Sequence, residues 1–391
     1  MPNVSIPLPA HAYTVHIGPG MLTRVGPELR RIIAPRRPRL FTVTSPEIWR
    51  FWQKPFLDGF KRAKLEPPAT LFLEPGERHK RLRSVEALLE QLAKQGADRD
   101  TVLIAFGGGV IGDLTGFLAA IYMRGIPFVQ VPTTFLAQVD SSVGGKTGVN
   151  LAAGKNLVGS FHHPLAVFAD IDTLATLPAR ELRAGLQETV KAAIIRSPTL
   201  FRTMEKRMDD LLPRKGQKQD TALLTKVIAD SVRIKAEVVL ADERESNLRM
   251  ILNFGHTLGH AIESATAYKL LLHGEAVGWG QLAALHIAHR RGMLPPQDAV
   301  RIEALIQRAT DLPAFHTRPE RLVALTAADK KNRSGMLRFI LPTGIGTVVI
   351  VNDVSHAELL AAAEHIVAEA NAAARTTNSP SKPSRTSGAK S

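Results

Sequence analysis

The hydrophobic pattern divides the chain into two halves with different periods. In the first half, short apolar runs of strand character alternate with stretches whose apolar residues recur every three or four positions, the spacing of one helix face. The pattern predicts strands at Val4–Pro7 and Tyr13–Ile17 and a helix over Met21–Ile33. A regular series follows: strand Arg39–Thr44, helix to Lys64, strand Thr70–Leu73, helix Leu82–Lys94, strand Thr101–Phe106, helix Val110–Tyr122 and strand Pro127–Val131. Strands alternating with helices belong to a parallel sheet covered on both faces. Beyond about Asp172 the strand signal nearly vanishes. Amphipathic helices are expected over Arg180–Arg196, Thr199–Leu212, Thr221–Glu237, the stretch bearing Leu258, Ala261, Ile262 and Ala265, Ala276–Arg291 and Gln297–Arg308. A hairpin, Leu337–Leu341 with Gly346–Val351, precedes a last helix over His356–Ala373. The expected organisation is an α/β nucleotide-binding domain with a parallel sheet over 1–171, a mainly α-helical domain over 172–374 and a disordered basic tail over 375–391.

Composition narrows the chemistry. A chain of 391 residues is long for one core and fits two domains of about 100–200 residues. No run approaches the roughly 18 apolar residues of a membrane span, and the opening Met-Pro-Asn-Val-Ser-Ile-Pro has neither the basic nor the apolar section of a secretory signal. A cytoplasmic protein with no membrane partner is expected. The absence of cysteine removes disulfides and thiolate ligands, so any metal must be held by His, Asp or Glu. The formal charge of +14 includes +4 from Arg375, Lys382, Arg385 and Lys390 in a tail without acids. With no nucleic-acid motif and few aromatics, an anionic small substrate explains the remaining cations better than a nucleic acid does.

Four stretches carry candidate chemistry. Gly107-Gly108-Gly109-Val110-Ile111-Gly112-Asp113 follows a strand and opens a helix, with the G-x-G-x-x-G spacing that lets backbone N–H groups approach a pyrophosphate. The next strand ends in Val131-Pro132-Thr133-Thr134 rather than in an acid, so a ribose carboxylate would have to come from Glu77. The same glycines also suit a plain helix–sheet contact. Asp140–Asn150, with Gly145-Lys146-Thr147, lacks the first glycine of a Walker A loop, since Asp140 stands there. Lys146 and Lys155 could grip anions as point charges, or the stretch could be a solvated turn. Glu188 and Lys191 share a helix face at i,i+3, which alone describes a surface ion pair equally well. In Asn253-Phe-Gly-His-Thr-Leu-Gly-His, His256 and His260 stand four apart on one helical face beside Gly255 and Gly259, glycines that suggest close approach. That spacing would make both histidines ligands of a borderline ion, with His273 folded back as a third and a carboxylate from elsewhere, and it equally suits two surface or hydrogen-bonded histidines.

Taken together these stretches resemble 3-dehydroquinate synthase, of the NAD-dependent sugar phosphate cyclases. The matching motifs are Pro75-Gly76-Glu77 with Lys80, Gly107–Asp113, Met123-Arg124-Gly125, Pro132-Thr133-Thr134, Asp140–Asn150, Gly154-Lys155-Asn156, Glu188 with Lys191, Asp242–Arg249, Asn253–Glu263, His273-Gly274-Glu275 and Asp329-Lys330-Lys331, in order over about residues 10–355. The resemblance implies NAD and Zn2+ or Co2+ in a cleft between the two domains, and a substrate, 3-deoxy-D-arabino-heptulosonate 7-phosphate, converted to 3-dehydroquinate and phosphate. It implies Glu188, His256 and His273 as metal ligands, and so moves His260 from ligand to acid/base and phosphate contact. Catalytic roles then fall to His260, Lys146, Asp140 and Glu245. Substrate contacts fall to Arg124, Lys146, Asn156, Lys235, Arg249, Asn253, His260, Lys330 and Lys331. The implied NAD contacts are Glu77, Lys80, Gly108, Gly109, Asp113, Thr133, Thr134, Asp140, Lys146 and Lys155, and Lys191 joins the polar network. Arg124 is expected to reach a neighbouring subunit's site, which implies a homodimer. Gln187, Ala192-Ala193 and Ser45 depart from the family's usual Ala, Tyr-Gly and Asp or Asn. The nearest rivals are sister cyclases making 2-deoxy-scyllo-inosose or 2-epi-5-epi-valiolone, then a metal-dependent polyol dehydrogenase. Lys235, Arg249 and the Lys330-Lys331 pair favour the carboxylated heptulosonate, because an uncharged sugar end would leave cations unpaired.

Overall fold

The computed structural model describes residues 1–8, 11–212, 220–332 and 337–377, with side chains excepted at 327–332 and 374–377. The first half builds β1 (Asn3–Ile6), β2 (Tyr13–Gly18), α1 (Leu22–Ile33), β3 (Leu40–Thr44), α2 (Pro46–Arg62), β4 (Ala69–Phe72), α3 (Leu82–Lys94), β5 (Val102–Gly107), α4 (Gly109–Ile121), β6 (Phe128–Pro132), β7 (Lys146–Leu151), β8 (Gly154–Phe161) and β9 (Ala166–Asp170). Seven of these strands form one sheet in the order β1-β2-β9-β6-β5-β3-β4. All pairings in it are parallel except β1 with β2. Phe41, Val43, Leu103 and Ala105 pack under α3 and α4 on one face. On the other, Val102, Ile104, Phe106, Val129 and Val131 meet α1 and α2. Both faces of β5 are therefore apolar, and every residue of it is buried, as a central parallel strand requires.

The connections leaving β3 and β5 run in opposite directions, toward β4 and toward β6. A doubly wound sheet opens its ligand crevice at such a switch, beyond the carboxyl ends of the strands. The glycine loop sits there. Gly108 precedes α4 and no side chain caps that helix, so its first N–H groups stay open to an anion. A Cβ on Gly108 would lie 2.9 Å from Cγ2 of Thr134, so the close approach of the two loops depends on that glycine.

The remaining chain is helical: α5 (Ala179–Arg196), α6 (Pro198–Leu211), α7 (Thr221–Ala241), α8 (His256–Ala265), α9 (His273–Arg290), α10 (Pro296–Ala309), α11 (Pro319–Asn332), the hairpin of β10 (Phe339–Gly344) with β11 (Thr347–Val351), and α12 (His356–Thr377). One large core joins these helices to the inner residues of β1 and β2. No helix among the described residues is long and apolar enough to cross a membrane.

Several expectations change. The Asp140–Asn150 region is a turn only in part: Asp140 and Ser141 end a π-helical turn, and Lys146 opens β7, which pairs antiparallel with β8. Glycine at 144, 145, 148, 154 and 159 hides this hairpin, because it weakens the period-2 signal. β9 and α11 also went unforeseen. Gly255 lies outside α8, as its left-handed cap at φ 81°, a conformation glycine adopts without strain. α12 continues to Thr377, three residues into the stretch expected to be disordered. Residues 378–391 lie outside those described, as do the side chains of Lys330 and Lys331.

Candidate functional site

Three helices converge where the helical half faces the sheet. Glu188 comes from the middle of α5, His256 from the first turn of α8 and His273 from the first turn of α9. One ligand-type atom from each lies within 4.8 Å of the others. Nε2 of His256 is 3.9 Å and Nε2 of His273 is 3.8 Å from Oε1 of Glu188. Glu188 is 3% exposed, yet its Oε1 has no hydrogen-bond partner, while Lys191 contacts Oε2. A buried carboxylate oxygen is rarely left unsatisfied. Two imidazole nitrogens facing such an oxygen, with no thiolate, suit a borderline divalent ion. Burial, then the Lys191 charge, drives the pKa of His256 well below its ordinary value, leaving the neutral imidazole that metal binding needs. Its Nδ1 lies 3.2 Å from the Phe254 carbonyl oxygen, which orients Nε2 toward the centre.

The first turn of α9 is fixed from outside. Arg180 donates to both carboxylate oxygens of Glu275, at 2.6 and 2.8 Å, and Glu275 also accepts from the Leu272 N–H at 2.7 Å. That clamp sets the position of His273. Burial opposes its protonation, but Glu263 and Glu188 outweigh burial and raise its pKa. His260 is exposed, with its ring perpendicular to that of His256 at 5.3 Å between centroids. The group around Glu188 does not include it, whereas a second group of ligand-type atoms, from His260, Glu263 and His273, does.

Lysine–carboxylate pairs surround the centre. Lys235 donates to Oδ1 of Asp140 at 2.8 Å and to its carbonyl oxygen at 2.7 Å. Asp140 sits on a π-helical turn, Ala137–Ser141, a local unwinding often found where side chains are aimed at a site. Burial opposes its charge, but Lys235 and Lys191 more than offset this and hold the carboxyl below the usual range. Lys146 pairs with Glu245, whose other oxygen accepts from Asn253 at 2.6 Å. Burial lowers the pKa of Lys146 and Glu245 opposes the fall. Arg249 is buried and donates to the carbonyl oxygens of Gly144, at 2.9 Å, and Glu243. At the glycine loop, Lys80 donates to Asp113 and to Asn156, both at 2.6 Å, and Glu77 accepts from Asn150 at 2.7 Å. Thr133 donates its N–H to the Gly107 carbonyl oxygen, and Thr134 Oγ1 accepts from the Ala137 N–H. Lys155 donates to Glu263 at 2.8 Å.

Arg124 lies apart from this centre, and Glu263 joins it. Arg124 is exposed beyond the C-terminal end of α4, and a helix of 13 residues is about 20 Å long. It is therefore remote from its own chain's glycine loop. Glu263 was not singled out, although His256, His260 and Glu263 follow the i, i+4, i+7 spacing of one helix face.

A doubly wound sheet whose glycine loop faces a helical half is also the fold of sugar phosphate cyclases solved with NAD+ and a divalent metal. 2-epi-5-epi-valiolone synthase from Streptomyces hygroscopicus subsp. jinggangensis 5008, solved with NAD+ and Zn2+, has it at a TM-score of 0.82 and 30% identity, over 91% of this chain and 97% of that one. 2-Deoxy-scyllo-inosose synthase, solved with carbaglucose-6-phosphate, NAD+ and Co2+, matches at 0.81 and 27%, over 93% of this chain and all of that one (100%). Sequence is more selective than fold. The models of the 3-dehydroquinate synthase N-terminal and C-terminal regions match residues 70–184 and 185–332. The 3-dehydroquinate synthase of Solibacter usitatus is 44% identical over 355 residues, which are 90% of this chain and 96% of that one. The one from Koribacter versatilis is 43% identical over 94% of this chain and 98% of its own. The chain belongs to the 3-dehydroquinate synthase family.

Proposed function

We propose that the protein is a 3-dehydroquinate synthase, which converts 3-deoxy-D-arabino-heptulosonate 7-phosphate to 3-dehydroquinate and inorganic phosphate, a carbon–oxygen lyase step toward aromatic amino acids. The observation that carries this reading is the convergence of Glu188, His256 and His273 on one point in a chain 44% identical to a relative of that name. The metal would be Zn2+ or Co2+ on those three side chains, and the unsatisfied Oε1 of Glu188 fits it. NAD+ would lie along the glycine loop, with Gly108, Gly109, Thr133, Thr134, Asp113, Lys80 and Glu77 around it. When bound, NAD+ supplies reversible hydride acceptance at a secondary alcohol, and the divalent ion supplies Lewis acidity toward neighbouring hydroxyls.

The chain's own residues handle anions and protons. Arg249, with its hydrogen bonds on backbone carbonyls, and Lys235, Lys146 and Asn156 hold the phosphate and carboxylate ends so that the leaving oxygen and the acidified carbon–hydrogen bond stay aligned. His260, exposed to the cleft, exchanges protons with the substrate, and Glu245 keeps Lys146 and Asn253 in place. One β-elimination releases phosphate with no net consumption of NAD+, and an intramolecular aldol step closes the carbocycle.

We also propose a cytoplasmic homodimer in which Arg124 serves the neighbouring site. Mixing Arg124→Ala with a His260→Ala chain should then restore activity that neither variant has alone. The activity test supplies the heptulosonate phosphate, catalytic NAD+ and Zn2+ or Co2+, and follows phosphate and 3-dehydroquinate together. Equal molar release of both is expected. Turnover only of an uncarboxylated sugar phosphate would favour a sister cyclase, and stoichiometric NADH a polyol dehydrogenase.

A further inference from the structure

Glu263 belongs to none of the ligand, substrate or cofactor roles above, yet it is 2% exposed and faces the metal cluster from the second turn of α8. Its Oε2 lies 3.4 Å from Nδ1 of His273, and its Oε1 accepts from the Lys155 ammonium at 2.8 Å. The opposite nitrogen of the same ring, Nε2 of His273, is the one that faces Glu188. We propose that Glu263 is a positioning residue that fixes the tautomer of His273, accepting a proton-bearing Nδ1 so that Nε2 presents its lone pair to the ion, and that Lys155 holds the Glu263 carboxylate in place from the β7–β8 hairpin. This inference rests on the metal reading of the Glu188 cluster.

The same residues offer a rival arrangement. His260, Glu263 and His273 also bring ligand-type atoms within 4.8 Å of one another, so Glu263 could be imagined as a ligand of a second ion. Hydrogen bonding argues against it. Both oxygens of Glu263 already have partners, the Lys155 ammonium at Oε1 and Nδ1 of His273 beside Oε2, whereas Oε1 of Glu188 has none. A carboxylate on the far nitrogen of a ligating imidazole is instead the usual means of setting ring orientation and ligand basicity, and its loss typically costs about 10–100-fold in metal affinity. The pairing also spans the two halves. Lys155 stands on a strand next to Asn156, whose side chain meets Lys80 at the glycine loop, so the cofactor side and the metal side share one chain of contacts.

The test measures metal binding directly. Wild-type protein, Glu263→Gln and His260→Ala are titrated with Co2+ against a chromophoric chelator, and the visible bands of bound Co2+ are recorded. Wild type is expected to bind one Co2+ per chain. Glu263→Gln should bind the same single ion with Kd raised by about 10–100-fold and with shifted bands, and His260→Ala should keep the wild-type bands. In Zn2+-loaded wild type labelled with 15N-histidine, which needs no folded variant, His273 should carry its proton on Nδ1. An unchanged Kd and spectrum in Glu263→Gln, or a proton on Nε2 of His273, would overturn the positioning role. Two Co2+ ions per chain, one of them lost in both variants, would replace it with the second-ion arrangement. A wild type that binds no Co2+ would instead overturn the metal reading on which it rests.

Discussion

Removing His256 and removing His260 should have unlike consequences, although the two residues stand one helical turn apart. In His256→Ala the ion loses one of three protein ligands. A structural Zn2+ site with four ligands is worth about 10–16 kcal/mol, so one ligand accounts for about 3 kcal/mol, or about two powers of ten in Kd. His256 is well suited to deliver that full share. It is neutral at pH 7 by burial, and its ring is oriented through the Phe254 carbonyl oxygen. His260 meets the cluster through a perpendicular ring contact with His256 and lies outside the Glu188 triad. Its loss should change the metal Kd by less than about tenfold, the lower bound for a group acting through another ligand, while turnover falls sharply. Metal content after gel filtration and chelator competition at pH 7.5 measure both. Equal metal loss in the two variants would refute the separation and return both histidines to the ligand set.

Three further outcomes follow from the packing and the charges. In Gly274→Ala the new Cβ would lie 1.8 Å from the Ala184 carbonyl oxygen; α9 must part from α5 beside both Glu188 and His273, so urea unfolding should show a loss of about 1–3 kcal/mol together with weaker metal binding. Lys80→Met leaves Asp113, whose pKa burial already raises, without its 2.6 Å cation; a cost of about 3 kcal/mol is expected at pH 8, and the deficit should narrow at pH 5 as the isolated carboxyl takes up a proton. Asp170 is pushed up to about 6 by burial, despite accepting from Leu22 and Asp172 N–H groups. Its folded pKa therefore exceeds its unfolded one, so its contribution is complete below about pH 4 and lost as pH rises through about 6, at most about 3 kcal/mol. Denaturant midpoints of wild type and Asp170→Asn between pH 4 and 7 should differ in slope, and parallel curves would refute the assignment.

The sequence exposed most of the fold wherever burial imposed a clear period. Leu82–Lys94 falls on α3 itself, since its apolar residues Val85, Leu88 and Leu92 mark one buried stripe. The β7–β8 hairpin stayed hidden because its register depends on glycines and on contacts with α4, not on alternating apolar side chains. Among site residues, His256 and His273 stood out as histidines, but the proposal that they and not His260 join Glu188 came from the resemblance. Spacing alone places His256 and His260 on one helix face and cannot say which of them meets a carboxylate 68 residues earlier in the sequence. Glu263 shows the same limit from the other side. Its spacing from His256 and His260 was visible, but an acid on a helix is ordinary until His273 is seen to approach it from another helix.

The pairing of cations and acids explains how the buried lysines of the cleft are tolerated. Lys80, Lys191 and Lys235 are buried against the carboxylates of Asp113, Glu188 and Asp140, while the half-buried Lys155 and the exposed Lys146 meet Glu263 and Glu245. In the buried pairs the partner charge offsets a desolvation cost of several kcal/mol per ion, so the cleft can be preorganised without a large penalty to folding. Under the proposed function a dianionic ligand would compete with those acids for Lys146 and Lys235. Arg249 is different: it is 2% exposed and its guanidinium donates to two carbonyl oxygens rather than to a carboxylate, so an anion would displace no acid from it. Arg249 and a divalent ion at Glu188 would then supply net positive charge to the substrate, while Lys146 and Lys235 would share theirs between substrate and acid. The pairs at Glu188 and Glu263, whose acids also face a histidine, would tie that arrangement to the metal.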